Sequence, residues 1–145
     1  MLKLLFPGSF DPFTKGHADL VARALTFADQ VVVAIGVHPE KHNMFTASER
    51  TAQIRQCFEG DERVKVVSYS GLTTDLAREQ GANAILRGVR SVSDFEYERA
   101  MADVNHQLTG IETVILIADP KYAAISSSVV RELLKYKKDV SAFLP

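Results

Sequence analysis

Cys57 is the only cysteine, so no internal disulfide can form within the chain. It lies on the apolar side of a stretch with helical spacing, which fits a core position better than a nucleophile. Net charge is also nearly absent. The 17 lysines and arginines against 18 aspartates and glutamates leave −1, which gives no electrostatic footprint for nucleic acid. If the ligand is an anion, positive charge must be gathered locally. No apolar run approaches the ~20 residues of a membrane span. The single lysine and five apolar residues before Pro7 are too few for a signal peptide. The expectation is a cytoplasmic protein with neither nucleic acid nor membrane as partner.

Several fingerprints are missing too. No Gly-x-Gly-x-x-Gly marks a dinucleotide turn, and no Gly-x4-Gly-Lys-(Ser/Thr) marks a P-loop. No Gly-x-Ser-x-Gly elbow is present. His38 and His42 are four apart, but Pro39 lies between them and no glutamate completes a zinc-protease pattern. They read as loop histidines, and His106 reads as a solvated residue of a helix.

What is present is a globular composition, 46% hydrophobic and 24% charged. A chain of 145 residues is expected to form one domain, residues 1–145. It can bury roughly 68–70% of the surface that its unfolded form exposes. Five apolar runs read as strands: Leu2–Phe6, Val31–Ile35, Val64–Val67, Ala84–Leu86 and Val114–Ala118. Helical spacing separates them. The first helix follows His17 and runs to about Phe27. Thr46-Ala47-Ser48-Glu49 is a capping box for the second, with Ile54, Cys57 and Phe58 inward. Thr73 or Thr74 caps the third, which Gly81 stops, and Ser93-Asp94-Phe95-Glu96 opens a long fourth that ends near Gly110. Ser126-Ser127-Ser128 starts the last, and Phe143 and Leu144 dock the tail. Alternating strands and helices make an α/β, Rossmann-like doubly wound fold around a five-stranded parallel sheet.

In such a sheet the ligand lies at the carboxyl ends of the strands. The loops there hold Ser9 to His17, Lys41, Thr73, Arg87 to Arg90, and Ser126 to Ser128. Pro7-Gly-Ser-Phe-Asp-Pro-Phe-Thr-Lys-Gly-His17 reads as strand, tight turn, helix start. A helix N-terminus offers unpaired N–H groups to an anion. Gly16 has no side chain to hold a phosphate away, and His17 adds a donor; a capping histidine is the plainer alternative. Lys41, Arg87 and Arg90 supply the positive charge. The serine triplet suits either an N-cap or a polyphosphate. Two such helix ends imply two phosphorylated ligands, or one with several phosphates. Phosphoryl or nucleotidyl transfer fits, since it depends mainly on positioning and charge stabilisation.

The run from Pro7 to His17 resembles the signature of the nucleotidylyltransferase superfamily, whose members carry (His/Thr)-x-Gly-His after the first strand. Arg87-Gly-Val-Arg-Ser-Val-Ser-Asp-Phe-Glu-Tyr-Glu98 is more specific and resembles the phosphopantetheine adenylyltransferases of bacteria. So do Ile125-Ser-Ser-Ser128, Pro39-x-Lys-x-x-Met-Phe-Thr46 and Asp139-Val-x-x-Phe-Leu-Pro145. Ser9 stands where many members carry threonine, which keeps the hydroxyl.

The resemblance implies transfer of the adenylyl group of ATP to 4′-phosphopantetheine. The products are dephospho-coenzyme A and pyrophosphate, formed by direct in-line attack without a covalent intermediate. It implies catalytic roles for His17, Lys41 and Arg90. ATP would meet Ser9, Phe10, His17, Gly88, Val89, Arg90 and Glu98, the Tyr122-Ala123-Ala124-Ile125 loop, and Ser126, Ser127 and Ser128. Phosphopantetheine would meet Ser9, Lys41, Thr73 and Arg87. Magnesium (Mg2+) would ride on ATP, the assembly would be a homohexamer, and coenzyme A would bind as a feedback ligand. The alternatives are a related transferase using nicotinamide mononucleotide, or a glycerol phosphate with CTP, and a nucleotide-binding module without turnover.

Overall fold

The computed structural model describes residues 1–145. Its elements alternate: β1 (Lys3–Gly8), α1 (Lys15–Ala24), β2 (Gln30–Gly36), α2 (Ala47–Cys57), β3 (Val64–Tyr69), α3 (Thr73–Glu79), β4 (Ala84–Val89), α4 (Val92–Thr109), β5 (Glu112–Ile117) and α5 (Ser127–Lys135). Short 3₁₀ turns lie at Pro120–Tyr122, between β5 and α5, and at Ser141–Phe143, after α5. The five strands form one sheet in the order β3-β2-β1-β4-β5, and every pairing is parallel. The apolar runs explain this. A parallel strand covered on both faces has no polar side to show, and β2 is buried from Val31 to Gly36.

Side chains alternate across the sheet. Leu4, Phe6, Val31, Val33 and Leu86 join Leu20, Val21 and Ala24 of α1 and Ile54 of α2 in the larger core. Leu5, Val32 and Ala34 face the opposite side, against Leu76 and Ala77 of α3. Each fully buried leucine, valine or phenylalanine contributes about 1.5–3 kcal/mol over an exposed one. Cys57 packs, partly buried, against the larger core, and burial pushes its thiol pKa up.

Several boundaries differ from the sequence expectation. β1 and β4 run further than expected, to Gly8 and Val89, so Arg87 and Gly88 lie on a strand rather than in a loop. α1 begins at Lys15, behind a Thr14 cap, and ends at Ala24; residues up to Phe27 continue as turns. Neither threonine caps α3. Leu72 holds that position without a side-chain bond, because the Thr73 hydroxyl meets Tyr69 at 2.9 Å and Thr74 is buried. α4 is capped by Ser91, whose Oγ accepts from the Asp94 N–H, two residues before the expected Ser93. β5 starts at Glu112 and ends at Ile117. In the tail Val140 is the buried residue, with Phe143 and Leu144 only partly covered.

The sheet is split at its centre. β1 and β4 pair only at Leu4–Ala84 and Leu5–Ile85, and then diverge. This is the point where the strand order reverses, and a crevice opens there at the carboxyl ends.

Candidate active site

Two cavities flank that split. The first, about 310 Å³, lies on the α1 side. Its lining includes Phe10, His17, Gly88, Val89, Arg90, Tyr122, Ile125 and Ser126 to Ser128. The second, about 390 Å³, lies on the α4 side, lined by Thr73, Tyr97, Glu98, Met101 and Asn105 among others. Pro7, Gly8, Ser9 and Arg87 line both and form the shared wall.

The strand pleat decides which side each residue serves. On β4, Arg87 shares a face with Ile85, and Gly88 shares the opposite face with Leu86. Gly88 lies against α1 so closely that an added Cβ would stand 2.2 Å from Leu20 Cδ1. Arg87 bridges the split. Its Nη1 donates to the Pro7 carbonyl, and its Nε and Nη2 donate to the two Glu98 oxygens at 2.7 Å each. Glu98 is the one buried residue of α4, and its carboxylate is engaged by Arg87. It lines the second cavity, not the first.

His17 is the third residue of α1, where its backbone N–H bonds the Thr14 hydroxyl. Its Nδ1 accepts from the Thr14 N–H at 3.0 Å. The histidine is therefore a capping residue as well as a lining one. That bond assigns the ring proton to Nε2. Phe13 stacks on the imidazole at 5.3 Å, and Phe10 meets it edge-on at 5.1 Å. Burial pushes the pKa down to about 4, and the guanidinium groups of Arg87 and Arg90 act in the same direction. At neutral pH His17 is a neutral hydrogen-bond donor rather than a cation. Phe10 is almost fully buried and adopts a left-handed φ of 49°, a costly conformation for an aromatic residue.

The serine triplet does more than cap. Ser126 Oγ caps α5 by accepting from the Val129 N–H. Ser127 Oγ donates to the Pro12 carbonyl at 2.7 Å, tying α5 to the turn after β1. Ser128 Oγ accepts from Arg131 at 3.3 Å. With the hydroxyls engaged, the first amides of α5 remain for an anion, as at any helix start. Arg90 lines the same cavity and is paired with Asp94 at 3.3 Å near the surface. Lys41 lines neither cavity, yet its Nζ donates to Ser9 Oγ on their shared wall at 2.7 Å. Ala123 and Ala124 lie between lining residues and line neither cavity.

A family model described as cytidylyltransferase-like matches residues 5–133. A phosphopantetheine adenylyltransferase of Porphyromonas gingivalis is 52% identical over 141 residues, 97% of this chain and 92% of that one. One from Phocaeicola vulgatus is 50% identical, and one from Bacteroides thetaiotaomicron 48%, each over the whole chain and 96% of its own length. The chain belongs to the phosphopantetheine adenylyltransferase family. Among solved structures, a bifunctional NMN adenylyltransferase/ADP ribose pyrophosphatase from Francisella tularensis superposes with a TM-score of 0.74 at 15% identity. The match covers 99% of this chain and 44% of that one, and speaks for the fold alone.

Phosphopantetheine adenylyltransferases are nucleotidyltransferases, and the two-cavity geometry suits a two-substrate transfer. Three residues were given no role of their own in the sequence, although Thr14 opens the Thr-x-Gly-His run. Thr14 orients His17. Asp11 and Arg50 are buried charges beside the Ser9 turn. The signal for Asp11 was its place inside the Ser-Phe-Asp-Pro run; Arg50 gave none, since an arginine on a surface helix is ordinarily solvated.

Proposed function

We propose that the chain transfers the adenylyl group of ATP to 4′-phosphopantetheine, releasing pyrophosphate and forming dephospho-coenzyme A. The observation that carries this reading is the pair of contiguous cavities meeting at Ser9 and Arg87. ATP occupies the first, its triphosphate toward the amides of α5 and its α-phosphate toward His17. Phosphopantetheine occupies the second, its phosphate at the shared wall between Ser9, Lys41 and Arg87. A phosphate oxygen attacks the α-phosphorus in line. One P–O bond forms while the bond to the bridging oxygen of pyrophosphate breaks. The neutral His17 Nε2–H donates to the α-phosphate, where charge builds in the transition state. Lys41 and Arg90 neutralise charge beside it. Arg87 is already held by Glu98, so the incoming phosphate meets an oriented guanidinium.

No three His, Cys, Asp or Glu side chains gather to hold a metal ion. The triphosphate end of the first cavity offers serines and an arginine, not carboxylates. In this reading magnesium rides on the ATP phosphates, where it would neutralise charge on the leaving group.

The assembly in this reading is a homohexamer. Its support is α4, where Val92, Phe95 and Val104 are exposed apolar side chains outside both cavities that a second copy would cover. No helix is long and apolar enough to cross a membrane. A cytoplasmic location and feedback binding of coenzyme A complete the proposal. The test is to incubate the protein with ATP, magnesium and 4′-phosphopantetheine, and to follow pyrophosphate and dephospho-coenzyme A together. Equal amounts of both are expected. Neither appearing would overturn the assignment, and turnover with nicotinamide mononucleotide would redirect it.

A further inference from the structure

Lys41 stands alone on a loop between β2 and α2, with its chemistry at the far end of a flexible stem. Something must hold that loop in register with Ser9. Two buried charges outside both cavities do so. Asp11 is 2% exposed. It accepts the Met44 N–H on one oxygen and the Phe45 N–H on the other, each at 2.8 Å, and the Asn43 amide at 3.3 Å. Burial alone would raise its pKa, but the bonds from Met44, Phe45 and Asn43 and the charge of Arg131 outweigh that and leave it below the usual carboxylate value.

Arg50, on α2, is equally buried, and no carboxylate pairs with it. Its Nη1 donates to the Ser9 carbonyl at 2.7 Å and to the Gly36 carbonyl at 3.1 Å, and its Nε donates to the Phe45 carbonyl at 3.1 Å. Gly36 and Phe45 are the two roots of the loop, and Ser9 is the residue that Lys41 reaches. A buried guanidinium spent on those three carbonyls, and a buried carboxylate spent on the loop's amides, form one clasp.

We propose that Asp11 and Arg50 are positioning residues that set the placement of Lys41 against the attacking phosphate. Neither lines the two cavities, so both act through what they hold: Asp11 through the loop's amides, and Arg50 through the loop's two roots and the Ser9 carbonyl. The inference rests on the adenylyl-transfer reading for the role of Lys41. In Asp11→Asn an amide nitrogen would face one of the two converging N–H groups, because Asn offers a single acceptor oxygen. The loop root shifts, and a misplacement of about 1 Å can cost up to ~10²-fold in rate.

The experiment is a double-mutant cycle of Asp11→Asn with Lys41→Ala, read as kcat and as KM for ATP. The expected result is a kcat loss of about tenfold or more for Asp11→Asn, KM for ATP within about twofold, and no further kcat loss once Lys41 is already alanine. Equal losses in both backgrounds would overturn the proposal, because damage to the fold would not depend on Lys41. Should Asp11→Asn fail to fold, Asn43→Ala loosens the same clasp while leaving the carboxylate in place. It is expected to slow turnover about threefold only where Lys41 is present; undiminished turnover there overturns the proposal. An unaltered protein that makes no dephospho-coenzyme A would instead sink the functional reading, which keeps the two failures apart.

Discussion

Acid is the sharpest probe of the His17 site. The imidazole pKa is held at about 4, against an ordinary 6.5. At pH 5.5 a histidine with the ordinary value is roughly 90% cationic, whereas one titrating near 4 is roughly 3% cationic. The shift is linked to stability. Because the folded value lies below the unfolded one, the unfolded chain binds the extra proton between pH 6.5 and about 4. Stability from this group is complete above 6.5 and is lost as pH falls to about 4. The whole effect amounts to about 3 kcal/mol at most. Turnover is a poor readout, since a substrate phosphate itself protonates near about pH 6. The assay is therefore nitrogen NMR of the His17 ring, with urea unfolding at pH 7 and 4.5 for the parent and for His17→Gln. The parent should lose more stability on acidification than the variant, and Nε2 should carry the proton at pH 7. A ring titrating near its ordinary value, or equal acid losses in both proteins, would refute the reasoning.

Four further outcomes are expected. His17→Ala should leave the protein folded, with a melting temperature lowered by the lost cap on the Thr14 N–H, and slow turnover by 10²-fold or more, about 2.7–4 kcal/mol of barrier; unchanged turnover would remove His17 from the mechanism. Chelating magnesium should abolish turnover without lowering the melting temperature, because the metal would reside on ATP; a drop in melting temperature would reveal a site in the protein. Gly88→Ala should destabilise by about 1–3 kcal/mol in urea through its clash with Leu20, and Leu20→Ala should blunt the effect when the two are combined. Sedimentation should find the unaltered chain assembled and Val104→Glu dispersed into smaller species; an unaltered chain that sediments as a monomer removes α4 as an interface.

The fold was legible because its signals are local. β2 announces itself as an unbroken apolar run, and Thr46 with Glu49 forms the capping box that opens α2. The start of α5 was legible for the same reason, since Ser126 caps it from within a few residues. What was hidden depends on pairs that are distant along the chain. Arg87 and Glu98 lie 11 residues apart on a strand and a helix, and only their packing shows that Glu98 is engaged by the arginine. The clasp spans 41 residues, from Ser9 to Arg50. The low pKa of His17 arises from burial beside Phe10 and Phe13, with two arginines nearby, which spacing along the chain does not convey. The start of α3 was misread because Thr73 had a better partner in Tyr69 than in its own helix.

The wall between the two cavities is only a few side chains thick: Pro7, Gly8, Ser9 and Arg87 touch both spaces. For inhibitor design this makes the pair one bipartite socket. A weak fragment seated beside His17 and another seated beside Asn105 can be tethered past Ser9 with a short chemical linker. The second fragment then binds at an effective concentration in the ~mM range, and the joined compound gains over either half without any new contact. The tether must span the distance past Ser9, so its length, more than its chemistry, decides whether the gain is realised.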